Sequence, residues 1–246
     1  MFSLPVFLLG ALVALTAPAF AGGLVEPALR LPASSGAPRV ALTLDACSGQ
    51  TDQRILSVLV EQKIPATIFV TSRWLRRNQA ALAVLKAHPD LFEIENHGAM
   101  HVPAVATQSH VFGLKTAGSP QAVTAEVEGG ARAIVAAGLP QPKWFRGATA
   151  EYDPASLKQI EAMGFRIAGF SVNGDQGATA STHAAAARIE RAKDGDVIIA
   201  HINQPKRASG AGVAAAIIAL KARGYQFAKL SEAMQQSVVL GLNKAP

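Results

Sequence analysis

The chain has 246 residues, of which 50% are hydrophobic and only 16% charged. That length suits one large domain or two small ones with a sizeable core, and the composition excludes a disordered acidic or basic polymer. The formal net charge is +6 but without basic clusters, a poor fit to nucleic acid.

Met1 to Ala21 carries no charged side chain, holds an apolar run from Val6 to Leu15 and ends in Ala19-Phe20-Ala21. This reads as a secretory signal peptide over residues 1–21, cut before Gly22, and places the mature protein in the periplasm or outside the cell. The run is short for a spanning helix and no later stretch is long enough, so no stable membrane insertion is expected after cleavage. Export with a basic surface suits an anionic partner such as cell-wall or outer-leaflet polysaccharide, though mild basicity equally serves solubility. Residues 22–38, rich in Pro, Gly, Ala and Ser, read as a lead-in segment.

Residues 39–44 form an apolar run that reads as a buried strand ending at Asp45. Cys47, the only cysteine, excludes an intramolecular disulfide. Two residues beyond Asp45, it reads as a buried inert thiol, with a nucleophile partnered by His201 as the alternative. Residues 51–62 have helical spacing, with Thr51 or Asp52 as N-cap. Strand 66–70 and helix 78–87 follow. Strand 92–94 leads into Glu95-Asn96-His97-Gly98-Ala99-Met100-His101. Residues 102–120 read as a long loop shaping a cleft. Helix 121–137, strand 143–145 ending at Arg146, helix 154–163, strand 166–172, helix 183–192, strand 196–200 ending at His201, helix 213–223 and segment 225–227 complete the order.

Strands alternating with helices predict a mostly parallel sheet. Asp45, His97, Arg146, Asp175 and His201 all fall just after strands. In a β/α barrel those ends share one rim, where chemistry sits. An open doubly wound sheet is the alternative, but no Gly-rich phosphate fingerprint is present. His97 and His101, four residues apart, can give one divalent metal two nitrogen ligands and leave positions open for catalysis.

The chain resembles the polysaccharide deacetylase family (NodB homology, carbohydrate esterase family 4) from about Val40 to Leu230. Thr43-Leu44-Asp45-Ala46 is similar to its Thr-Phe-Asp-Asp motif. Asn96-His97-Gly98-Ala99-Met100-His101 is similar to Asn-His-Ser/Thr-x-x-His, and Phe145-Arg146 to the start of Arg-x-Pro-Tyr. Ser171 to Asp175 loosely resembles Asp-x-x-Asp-Trp, and Ile198-Ile199-Ala200-His201 resembles Leu-x-His. The resemblance implies a single-domain α/β fold over residues 39–240, a distorted (β/α)7 barrel of the NodB type. It implies zinc (Zn2+) or another divalent transition metal, and hydrolysis of acetyl groups, N-acetyl before O-acetyl, on a polysaccharide such as peptidoglycan. Asp45 would be the general base, His201 the general acid, Arg146 the group holding Asp45 ionised and Asp175 the group orienting His201.

The sequence departs from the pattern in instructive places. Ala46 stands where the family has its carboxylate metal ligand. Asp52, beyond the Ser48-Gly49-Gln50 turn, is the expected replacement beside His97 and His101. Arg146-Gly147-Ala148-Thr149 lacks the Pro-Tyr pair, and Gln176 stands at the usual Trp. Two other functions compete: a glycan-binding relative that has lost its metal, and a metal-independent amidohydrolase acting on a small cyclic amide.

Overall fold

In the computed structural model, which describes residues 23–234, the chain is built around β1 (Arg39–Ala46). Every residue of this strand after the first is buried, the mark of a strand covered on both faces. The strands β2 (Ala66–Val70), β3 (Phe92–Asn96), β6 (Trp144–Phe145) and β7 (Arg166–Ile167) extend from one side of β1. From the other extend β9 (Val197–His201) and β8 (Val172–Asn173), while β10 (Gln226–Ala228) pairs with the start of β1. All pairings in this eight-stranded sheet are parallel, as the alternation predicts, and it curls into the open barrel that the family resemblance implies.

Alternation along β1 separates two cores. Val40, Leu42, Leu44 and Ala46 face the outer helices and pack in one cluster with Ile55 and Leu59 of α1 (Gln53–Glu61) and Ile217 and Leu220 of α7 (Ser209–Ala222). Ala41 faces the barrel interior with Phe69, Trp144, Val197 and Ile199. Three further helices cover the outside: α4 (Pro120–Ala136), α5 (Pro154–Ala162) and α6 (Thr182–Glu190).

Two departures from the sequence reading are informative. The expected strand 166–172 divides into β7 and β8, because residues 168–171 cross from the β6 side of the opening to the β9 side. Ala168 N–H donates to Phe145 O, whereas Ser171 N–H donates to Val197 O. The lead-in segment fills that opening: Val25 bridges Tyr152, Ala28 bridges Phe170 and Arg30 bridges Asp196. At Gly169 a Cβ would stand 2.1 Å from Pro27 O, so only glycine admits this approach. The second departure is local. A short helix, α2 (Ser72–Arg77), capped by Thr71, precedes α3 (Gln79–Ala87), and the predicted loop 102–120 contains a hairpin of β4 (His110–Val111) and β5 (Leu114–Lys115).

The expected signal peptide, residues 1–21, and residues 235–240 of the expected domain lie outside the described residues. Among the described residues, no helix is long and apolar enough to cross a membrane.

Candidate active site

Parallel register brings the chemistry together. Asp45 on β1 is the direct neighbour of His201 on β9, and His97, Arg146 and Asp175 each follow the end of a strand on the same rim. Arg146 is wholly buried beneath them. Its Nη1 donates to Asp45 Oδ1 at 3.0 Å and to Thr43 Oγ1 at 2.9 Å. Its Nε and Nη2 donate to the carbonyls of Ala168 and Gly169, and its guanidinium lies 4.5 Å from the Phe69 ring centroid. Burial pushes the Asp45 carboxyl up, but Arg146, with help from His97 and His201, outweighs burial and holds it below the usual carboxylate range. Asp45 is therefore ionised at neutral pH.

His201 is governed by the opposite arrangement. Its Nδ1 lies 2.9 Å from Asp175 Oδ1, and its backbone N–H donates to Asp175 Oδ2 at 2.8 Å. Asp175 is itself fully buried. Burial would lower the imidazole pKa, but the Asp175 hydrogen bond and charge, together with Cys47, lift it well above the ordinary value. The rim thus holds a carboxylate kept deprotonated next to an imidazole kept protonated, the separation that acid–base work requires.

His97 is buried, with Nδ1 2.6 Å from Arg146 O. A carbonyl only accepts, so Nδ1 carries the proton, and in the neutral ring Nε2 presents its lone pair to the cleft. That Nε2 lies 3.5 Å from Cys47 Sγ and 3.9 Å from Asp45 Oδ2. The His101 ring centroid is 5.0 Å from that of His97. His101 sits at φ 62, in the left-handed region, on a loop that α4 shapes. The buried Glu126 carboxylate accepts from Met100 N–H and Val102 N–H, while Asn96 accepts from Gly98 N–H and donates to Val127 O. Gly98, at φ 88, leaves no room for a side chain, since a Cβ there would meet Glu126 Oε1 at 2.4 Å.

The structure does not bring Asp52 to this centre. Its side chain caps α1 by accepting from Arg54 N–H, and its carboxylate is gripped by Arg54 Nε at 2.8 Å and Nη2 at 2.5 Å. The expected metal ligand is thus a helix cap paired with Arg54. The residue grouped with the two histidines is Cys47. Cys47, His97 and His101 each present one donor atom, and these atoms lie within 4.8 Å of one another. Two imidazoles and a thiol are a donor set that zinc accepts, so the residues fit a metal of that class. Burial alone would raise the thiol pKa, but His97 and hydrogen bonding from His101 and His201 draw it well below the ordinary range. The sequence signal for this is that Cys47 lies two residues from Asp45, one side-chain period of a strand. Glu126 gave no comparable signal, because a lone Glu in a helix reads as a solvated face.

The altered third motif has its own geometry. Gly147 N–H donates to the Tyr152 hydroxyl at 2.7 Å and is therefore not directed to the cleft. Thr149 and Ala150 follow at φ 71 and φ 54, and the buried Thr149 hydroxyl lacks a hydrogen-bond partner. A β-branched residue in the left-handed region stores strain of a kind that concentrates at working sites.

The family model for polysaccharide deacetylases matches residues 33–168, more than half of the chain. The chain belongs to the polysaccharide deacetylase family. No curated protein sequence matches it. Solved structures with this fold include the peptidoglycan deacetylase PdaC from Bacillus subtilis, 19% identical, with TM-score 0.65 over 85% of this chain and 96% of that one. A family 4 carbohydrate esterase from Streptomyces lividans, solved in complex with acetate, is 23% identical, with TM-score 0.59 over 77% and 91%. A family 4 pseudoenzyme from Bacillus anthracis is 21% identical, with TM-score 0.64 over 82% of this chain and 66% of that one. These likenesses establish the NodB-type barrel for this family member; the residues at the rim must carry its chemistry.

Proposed function

We propose that this protein is an exported, metal-dependent hydrolase that removes acetyl groups, N-acetyl in the first instance, from peptidoglycan or another acetylated polysaccharide. The observation that carries the reading is the polarised pair at the rim: Asp45 kept ionised by Arg146 and His201 kept protonated by Asp175, flanking two histidines. A binding module needs no such separation of protonation states. Burying Asp45, His97, Arg146 and Asp175 is costly unless each is satisfied, as they are.

His97 and His101, with a third donor from the end of β1, would hold the metal. Bound there, a divalent metal supplies Lewis acidity that polarises the acyl carbonyl and makes water a better nucleophile. Asp45 accepts the proton that the attacking water loses. Because Arg146 makes it a weak base, Asp45 depends on water that is already acidified. His201 delivers its proton to the departing nitrogen, so the amine leaves neutral and acetate is the second product. Asp175 then favours reprotonation of His201.

Purified mature protein should release acetate from N-acetylglucosamine oligomers, lose that activity to a chelator and regain it with zinc. A second reading rests on Cys47, which His201 also approaches. There the Cys47 thiolate would attack the acyl carbon and expel the amine, protonated by His201, leaving an acyl-enzyme that water then hydrolyses, a route for an amidohydrolase that needs no metal. Full activity in chelator, abolished by thiol alkylation, would select that reading and reject the metal.

A further inference from the structure

Ala46 occupies the position at which the family places its carboxylate ligand, and an alanine there offers a metal no donor. Val40, Leu42, Leu44 and Ala46 all face the helix layer, and Ala46 is fully buried there. Thr43 and Asp45 face the barrel, where both accept from Arg146. Cys47 continues their series by the two-residue period of the strand. Its backbone is fixed by the Thr71 hydroxyl, which donates to Cys47 O, and by Thr71 N–H, which donates to Ala46 O. Cys47 Sγ and His97 Nε2 are 3.5 Å apart. Zinc–sulfur and zinc–nitrogen bonds in a tetrahedral site require an S···N separation of about 3.6 Å. The nearby carboxylates are committed elsewhere: Asp45 to Arg146, Asp175 to His201 and Asp52 to Arg54.

We infer that Cys47 is the third metal ligand, a thiolate in place of the family carboxylate, and that it restricts the site to borderline-soft ions such as zinc and cobalt. This rests on the metal-dependent reading of the site. Sulfur disfavours magnesium and manganese, which prefer oxygen donors. The role also accounts for the single cysteine of the sequence, which is buried against two histidines.

The test uses the mature protein, metal-stripped and then loaded with cobalt(II) or zinc. Wild type should bind one equivalent and show an intense near-ultraviolet sulfur-to-cobalt charge-transfer band. Cys47→Ser should lose the band and bind zinc at least about 100-fold more weakly, since even loss of an outer-shell partner costs 10–100-fold. Cys47→Asp should also lose the band but recover manganese binding relative to Cys47→Ser. Asp52→Ala should keep both the stoichiometry and the band. Wild type that binds one cobalt without the band, or Cys47→Ser with unchanged zinc affinity, overturns the thiolate ligand and leaves the metal-dependent reading standing. Wild type that binds no metal overturns both. The wild-type spectrum decides the matter even if a variant fails to fold.

Discussion

Replacing Arg146 with methionine would test the electrostatic heart of the site. The substitution keeps most of the buried volume but removes the charge that neutralises Asp45, which is only 3% exposed. Breaking a buried ion pair from one side costs about 3–5 kcal/mol. At about 2–4 °C per kcal/mol for a domain of this size, that loss alone should lower the melting temperature by roughly 6–20 °C at neutral pH. The carbonyls of Ala168 and Gly169 also lose donors, at about 1–3 kcal/mol each, but that cost does not vary with pH. The Asp45 part does. In the wild type its folded pKa is depressed, so its stabilisation is present above the unfolded value of about 3.8 and is lost as pH falls through the folded value. In the variant, burial dominates and the folded pKa rises above the unfolded one. Stability is then retained in acid and lost as pH rises. Urea unfolding of both proteins in chelator, at pH 7 and pH 5, should show a gap that is wide at pH 7 and narrower at pH 5. A gap below about 1 kcal/mol, or one equal at the two pH values, would refute the role assigned to Arg146.

Ala46→Asp should not rebuild a metal site. It places a carboxyl among Leu44, Ile55 and Val70, lowers stability by several kcal/mol and leaves zinc affinity unchanged; tighter zinc binding would contradict the facing assigned to β1. Asp175→Asn should let the His201 pKa fall, moving the basic limb of the kcat/KM profile to lower pH by about one unit or more. An unmoved limb would remove His201 from the role of general acid. Glu95 is a separate titrating group: burial, reinforced by Glu93, raises its carboxyl to about 8 while it accepts from Lys143 and Trp144 N–H. A raised folded pKa gives stability that is complete below the unfolded value of 4.5 and lost progressively up to about 8. Glu95→Gln should therefore gain on wild type as pH climbs through that window in urea titrations, and a constant difference would count against it.

The parallel sheet was legible because β/α alternation and strand-terminal polar residues are properties of local pattern, and the family motifs at those strand ends turned it into a barrel. Asp45, His97, Arg146, Asp175 and His201 could all be placed on one rim from order alone. What could not be read was direction. Asp52 has the right residue type at a plausible distance along the chain, but its carboxylate turns to cap α1 and pair with Arg54, a local interaction that competes successfully with any role at the rim. Cys47 read as inert because burial is the usual fate of a free thiol, and only the facing of β1 distinguishes it from Ala46. Glu126 is invisible for a different reason: it acts on the loop of residues 98–102 across the gap between α4 and β3, which no sequence spacing encodes. The division of β7 from β8 likewise depends on the lead-in segment, whose bridges to Tyr152, Phe170 and Asp196 are all distant in sequence.

That lead-in segment has a kinetic consequence. Arg30 reaches Asp196, 166 residues away, and Val25 pairs with Tyr152. The opening of the barrel is therefore sealed by residues 25–30 closing onto segments from the second half of the chain. Such long-range closure is slow, because the entropy of a large loop is lost before any contact forms. Nascent chains shorter than about the position of β9 must carry an unsealed sheet, so folding should complete only when nearly all of the domain is available.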